Sequence, residues 1–331
     1  MVRIRHGWLV IGLALAVVAA CKKEDKSDTA TGDKTTGKAR PNGEDLSLLP
    51  LDSELVLGVN FAQVQQSGLW KQFVEPKIMS GEAQRKLAEF KESCGFDPMT
   101  SLKSISVGLK GVGGDKPDGV VVMHGLDKAK VWACLESDKV KAEMTKDGDE
   151  FSRDGDVGLF KNKSGGQVAV AFVNSSTAIA VLGEQVTAAS AKAAAAGGST
   201  LKSSPPFLDM YGKVNANDSL WFLVNGKSKI FEKTAALGVK PKAMFGSVNV
   251  TDGLSVDLRL RLETPDAAAS LADMGKKQLQ QASKMFDKVE VTSDGADVRV
   301  SIVLSSQKLQ AMIQQFAGLL GAFGGGGMGG P

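Results

Sequence analysis

The sequence predicts an α+β fold: two related repeats of antiparallel sheet with helices packed on one face, following a disordered tether. Three observations lead there. Short apolar runs flank Asp-Gly pairs at Asp154-Gly155, Asp252-Gly253 and Asp294-Gly295, and Asp-Gly between apolar runs is a hairpin signal. The order strand, helix, strand, strand, helix, strands, helix is read twice along the chain, which suits an antiparallel sheet with segregated helices. The length of 331 residues fits about two domains at ~150 residues each.

In the first repeat, residues 46–197, Glu54–Asn60 reads as a strand. Leu69–Ile78 has a helical pattern broken by Pro76. Glu82–Ser93 is a second helix, ending before Gly95, a residue suited to the left-handed C-cap. Ser104–Lys110 and Gly119–His124 read as paired strands and Lys128–Glu136 as a helix. Phe151–Lys161 is a hairpin, Val168–Val173 and Thr177–Leu182 are two further strands, and the helix Glu184–Ala196 closes the repeat. The chain then passes from an Ala-rich helix into Gly, Ser and Pro, so a linker is expected at 198–206.

The second repeat, 207–323, restates that order. Asp218–Val224, DSLWFLV, resembles Asp52–Val59, DSELVLGV. Met244–Val250 and Leu254–Leu262 form a hairpin, Pro265–Met285 a long helix, and Lys288–Val291 pairs with Ala296–Leu304. Gln307–Leu320 is the closing helix. Residues 324–331, GGGGMGGP, form a Gly-rich tail too poor in side chains to carry a function alone.

Composition narrows the function classes. The formal charge is +3, from 40 basic and 37 acidic side chains, and no basic stripe interleaved with aromatics argues for nucleic acid. Two His and three Cys are too few for a His-rich metal site or a zinc ribbon, and no cofactor is expected.

The first residues read as an address. Arg3 and Arg5 precede the uncharged run WLVIGLALAVVAA, Trp8 to Ala20. As a helix it spans about 20 Å, short of the ~30 Å bilayer core, but it suits the apolar core of a signal peptide covering 1–20. It ends in Val18-Ala19-Ala20-Cys21, which resembles the lipobox of bacterial lipoproteins: an aliphatic residue, two small ones, then Cys. The resemblance implies cleavage between Ala20 and Cys21, diacylglycerol on the Cys21 thiol, acylation of the new amine, and a membrane as the partner of that lipid. Two or more acyl chains hold a protein stably where one does so marginally. Residues 22–45 lack bulky apolar side chains and cannot offset their ordering entropy, so 21–45 reads as lipidated Cys plus tether. In that family Asp after the modified Cys commonly signals inner-membrane retention. Lys22 stands there, which favours the outer membrane, facing the periplasm. Leu48-Leu49-Pro50 followed by a strand just after the tether is similar to uncharacterised extracytoplasmic lipoproteins of Gram-negative bacteria. That likeness brings no active-site motif and implies no reaction.

With Cys21 lipidated, Cys94 and Cys134 remain. An even pair in an oxidising compartment is expected to form a disulfide; two separate buried thiols are the alternative.

Other candidate chemistry is weaker. His124 would be the one His left after processing, at a strand-to-helix turn, and needs a spatial partner to act as a base. Gly226-Lys227-Ser228 sits in phosphate-loop context, but Trp221 stands where the motif needs its first Gly, so no nucleotide is expected. Gly108, Gly111, Gly113 and Gly114 precede a strand rather than a helix N-terminus and read as a hairpin loop. Asp147, Asp149, Asp154 and Asp156 do not match an ion-loop spacing. Ser305-x-x-Lys308 lacks the companion motifs of the serine enzymes that share it, and Ser305 or Ser306 reads as a helix cap. Ala268, Leu271, Ala272, Met274, Leu279, Ala282 and Met285 form an apolar stripe that reads as core.

The expectation is a lipid-anchored envelope protein that is not an enzyme: a binding or structural module with an envelope protein or the cell wall as partner. The alternatives are a carrier of a small apolar ligand and a hydrolase whose site forms only in three dimensions.

Overall fold

The structure is a computed structural model that describes residues 43–112, 117–231 and 240–314, with backbone only at 280–282. Residues 1–42, where the signal peptide, the Ala20–Cys21 cleavage point and most of the tether are expected, lie outside the described residues, as do residues 315–331, where the expected closing helix ends and the Gly-rich tail follows. No helix among the described residues is long and apolar enough to cross a membrane.

Twelve strands form one antiparallel sheet. In chain order they are β1 (Leu55–Val59), β2 (Ser104–Lys110), β3 (Asp118–His124), β4 (Glu150–Asp154), β5 (Val157–Lys161), β6 (Gln167–Phe172), β7 (Thr177–Gly183), β8 (Leu220–Asn225), β9 (Ala243–Asn249), β10 (Gly253–Arg261), β11 (Lys288–Asp294) and β12 (Asp297–Ser305). Their spatial order is β11-β12-β10-β9-β8-β1-β2-β3-β7-β6-β5-β4. The predicted α+β class with antiparallel pairing therefore holds, and the two halves join edge to edge where β1 pairs with β8. The halves run outward from that seam alike: β1-β2-β3 on one side and β8-β9-β10 on the other, with Gly108 opposite Val120 and Gly246 opposite Leu258. Beyond these the halves diverge, because β4 to β7 answer to β11 and β12 alone.

The three hairpin turns fall where Asp-Gly predicted them, and Gly155 (φ 60) and Gly295 (φ 57) take the left-handed conformation that such turns require. The 81–94 helix stops at Gly95, whose φ of 68 lets its N–H close on the Lys91 carbonyl. The helical run continues through Pro76 to Ile78, with a π-helical stretch at 70–74 leading directly into the four-residue helix 75–78, so Pro76 does not break it as the pattern suggested. Four helices escaped the periodicity: 61–66, 98–101, 138–147 and 205–212. Each is short and capped by a side chain of Asn60, Asp97, Ser137 or Ser204.

Helix placement refines the expectation. In the first half helices cover both faces. Val120 and Val122 pack with Ala191 of the 188–196 helix, whereas Val121 packs with Val131, Trp132 and Leu135 of the 128–136 helix. The physical reason is β3 itself: Val120, Val121 and Val122 are all buried, and a strand apolar on both sides must be covered on both sides. In the second half one face packs on the 265–282 helix through Leu260, Val291, Val298 and Val300. The segment 198–206 is also packed, with Leu201 buried in the main core and Thr200 bridged to Pro50.

Candidate functional site

Two polar constellations stand out, both on the sheet face that carries Val120 and Val122. The first gathers at the end of β2, β3 and β7. In register, His124 lies between Ser104 and Thr177. Its Nδ1 is 3.1 Å from Thr177 Oγ1 and its Nε2 is 2.8 Å from Asp45 Oδ1. Ser106 Oγ donates to the other Asp45 oxygen at 2.6 Å. Asp45 opens a 3-10 turn at 45–47, which the burial of Leu46 and Leu49 fixes against the sheet. That carboxylate is 2% exposed, so donors are required to offset its desolvation. The hydrogen bond to Asp45 raises the His124 pKa; burial opposes it, and the charges of Asp45 and Glu44 add to it. The His124 side chain is 30% exposed.

The second constellation is the charged face of β10 and β12. Along β10 Asp257, Arg259 and Arg261 alternate with Val256, Leu258 and Leu260, so the charges point away from the 265–282 helix. Across the ladder Arg259 lies opposite Arg299 and Arg261 opposite Asp297. Like charges face each other directly at Arg259 and Arg299, an arrangement that costs unless acids divide them. Asp257 takes Arg299 through two nitrogens, at 3.0 and 2.7 Å, and Asp294 lies 3.3 Å from Arg259. Arg261 forks onto Asp297 at 2.7 and 2.9 Å and reaches Asp209 at 2.7 Å. Asp297 is 1% exposed. Its burial pushes the carboxyl pKa up, but bonds from Arg261 and from Lys213, at 2.8 Å, outweigh burial and hold it below the usual value. The guanidinium planes of Arg261 and Arg299 are thus fixed, whereas among the described residues Arg259 hydrogen-bonds only to Asp294 and its Nε is buried without a hydrogen-bond partner; Asp257 and Asp294 stay 31% and 66% exposed.

Two cavities accompany these sites. One of about 400 Å³ is lined by Asp52, Ser53, Lys110, Asp118, Glu184 and Ser190. It sits at the end of β2 and β3 remote from His124, because Lys110 pairs with Asp118 and Ser104 with His124. The other, about 330 Å³, runs between Leu279 of the 265–282 helix and Val289 and Val291 of the edge strand.

The remaining sequence candidates resolve structurally. Cys94 and Cys134 are joined, with Cα atoms 4.4 Å apart. Gly226 turns the chain after β8 with its α-carbon against the Pro241 and Lys242 carbonyls, and Ser228 is buried. Gly108 lies within β2 and Gly111 after it, while Gly113 and Gly114 fall outside the described residues. Asp154 pairs with Lys192 and Asp156 with Lys128, both at 2.8 Å, whereas Asp147 ends the 138–147 helix and Asp149 follows it. No group of three His, Cys, Asp or Glu side chains among the described residues could hold a metal ion. Lys308 pairs with Asp287 at 3.0 Å and donates to the Phe286 carbonyl. Asp287 also accepts from the Ser305 N–H at the end of β12. Ala268 and Ala272 are core, as the stripe predicted, while Met274 and Met285 are exposed.

The sequence reading reached His124 but not Asp45, Ser106 or Thr177, which come from three separate elements. It also missed the charged face of Asp257, Arg259, Arg261 and Arg299, for which the strict alternation of VDLRLR was the available signal. No protein-family model, curated protein or solved structure matches this chain.

Proposed function

We propose that the protein is a lipid-anchored, non-enzymatic binding module of the cell envelope, held by Cys21 and presenting the charged face of its second half to an envelope protein or the cell wall. The outer membrane, facing the periplasm, is the location this reading assigns. The observation that carries it is the pair of forked guanidinium–carboxylate contacts, Arg299 on Asp257 and Arg261 on Asp297, on a sheet face whose other side is packed. Side chains already immobilised by bidentate pairing lose little further entropy on binding, and Arg is enriched in interfaces for its planar recognition.

The test is site-specific photocrosslinking in intact envelopes. A photoreactive residue at Ser255, exposed beside Asp257, is expected to give a discrete product, and one at Met274, on the helix across the sheet, none. Equal yields from both positions, or none from Ser255, would count against the reading. In the same cells Cys21→Ser is expected to move the protein out of the membrane fraction.

A second reading, a hydrolase, draws on the Thr177–His124–Asp45 connectivity, which is that of an acid–base relay. Thr177 is only 6% exposed and neither described cavity is lined by any of the three, so the binding reading is preferred.

A further inference from the structure

We infer that residues 43–49 form a strap locked onto the sheet by the Asp45–His124 contact, and that protonation of His124 sets how tightly it is locked. Three observations converge on this. Asp45 is buried, and its two oxygens are taken by Ser106 and His124. Its backbone carbonyl accepts the N–H groups of Leu48 at 2.9 Å and Leu49 at 3.1 Å, so the turn that seats Leu46 and Leu49 in the core is built on the same residue. The strap is also where the folded body meets the chain leading back to residue 42.

The groups around the contact give the switch its sign. The strap contributes the acids Asp45 and Glu44. Ser104 and Ser106 come from β2 and Thr177 from β7. The 205–212 helix contributes Tyr211, whose pKa is raised by burial and then by the Asp45 charge, so it stays a neutral phenol. Of these groups His124 alone can be a cation. Protonated, it donates from Nε2 to Asp45 and from Nδ1 to Thr177, and it neutralises the buried carboxylate with a charge-assisted bond. Neutral, it keeps a hydrogen bond to Asp45 but leaves the buried charge uncompensated. A His whose pKa is raised by docking lends its full stabilisation below the undocked value, near 6.5, and loses it as pH rises through the docked value. The strap is therefore tightest in mild acid and loosens toward alkaline pH.

Hydrogen exchange read by mass spectrometry on the full chain tests this, comparing the peptide around 46–49 with one from β7 at pH 5.5, 7.0 and 8.5. After correction for intrinsic rates, protection of the strap peptide is expected to fall on the order of tenfold for each pKa unit that docking adds to His124, while the β7 peptide holds. His124→Gln, which keeps a donor but cannot titrate, and Asp45→Asn, which removes the charge, are each expected to give a flat strap profile. A flat profile in the native chain, or an unchanged slope in either folded variant, overturns the inference.

Discussion

Gly58 and Trp221 show at single-residue scale how the halves are joined. They face each other across β1 and β8, and a methyl group on Gly58 would overlap the Trp221 indole. Trp221 is 1% exposed in the shared core, edge-on to Tyr211 at 5.1 Å. The small residue on β1 is thus the space that the large one on β8 fills, and a filled core resists added volume. Gly58→Ala is expected to destabilise the protein by about 1–3 kcal/mol, measured as a lower urea midpoint at constant slope. An unchanged midpoint would mean that the indole can shift. From the sequence Gly58 looks like a weakness in a strand; its purpose exists only opposite Trp221.

At the scale of elements, the bond between Cys94 and Cys134 ties the last residue of the 81–94 helix to the 128–136 helix. Leu87 is the other buried residue of the 81–94 helix, which is mostly exposed, so the cross-link matters more there than in the sheet. Closing a loop with a sequence separation of 40 stabilises by about 4 kcal/mol on the chain-entropy account. The double variant Cys94→Ala, Cys134→Ala is expected to lose about that much in urea unfolding, and reductant on the native chain to reproduce the loss. Retention of native stability under reductant would show that the helix is held by packing alone. Strands and hairpins were legible one by one because their period and their Asp-Gly turns are local. The helices at 61–66, 98–101, 138–147 and 205–212 were not, because four to ten residues give too few turns for a clear period. The caps of Asn60, Asp97, Ser137 and Ser204 were their available signal.

At the scale of the whole molecule, the main core contains Leu46, Val56 and Val122 from the first half together with Trp221, Leu223 and Phe245 from the second. Strand β1 also pairs with β8 over five residues. Opening the seam would strand both the β1–β8 hydrogen bonds and the Trp221 pocket, so neither half keeps its core without the other. Urea unfolding is accordingly expected to give one transition, coincident by tryptophan fluorescence and far-ultraviolet dichroism. Two separated midpoints would show that the halves fold independently.

The sequence by itself determined the α+β class, nearly every strand, the hairpin turns and the buried Ala268 and Ala272 of the long helix. Each rests on alternation, spacing or turn chemistry within some ten residues. Only the tertiary structure decided that the two sets of strands make one sheet, that helices cover both faces of its first half, and that Asp45, Ser106, His124 and Thr177 meet. Those outcomes depend on register and burial between segments far apart in the chain. Asp45 and His124 stand 79 residues apart, and no local pattern encodes which buried carboxylate a distant imidazole will answer.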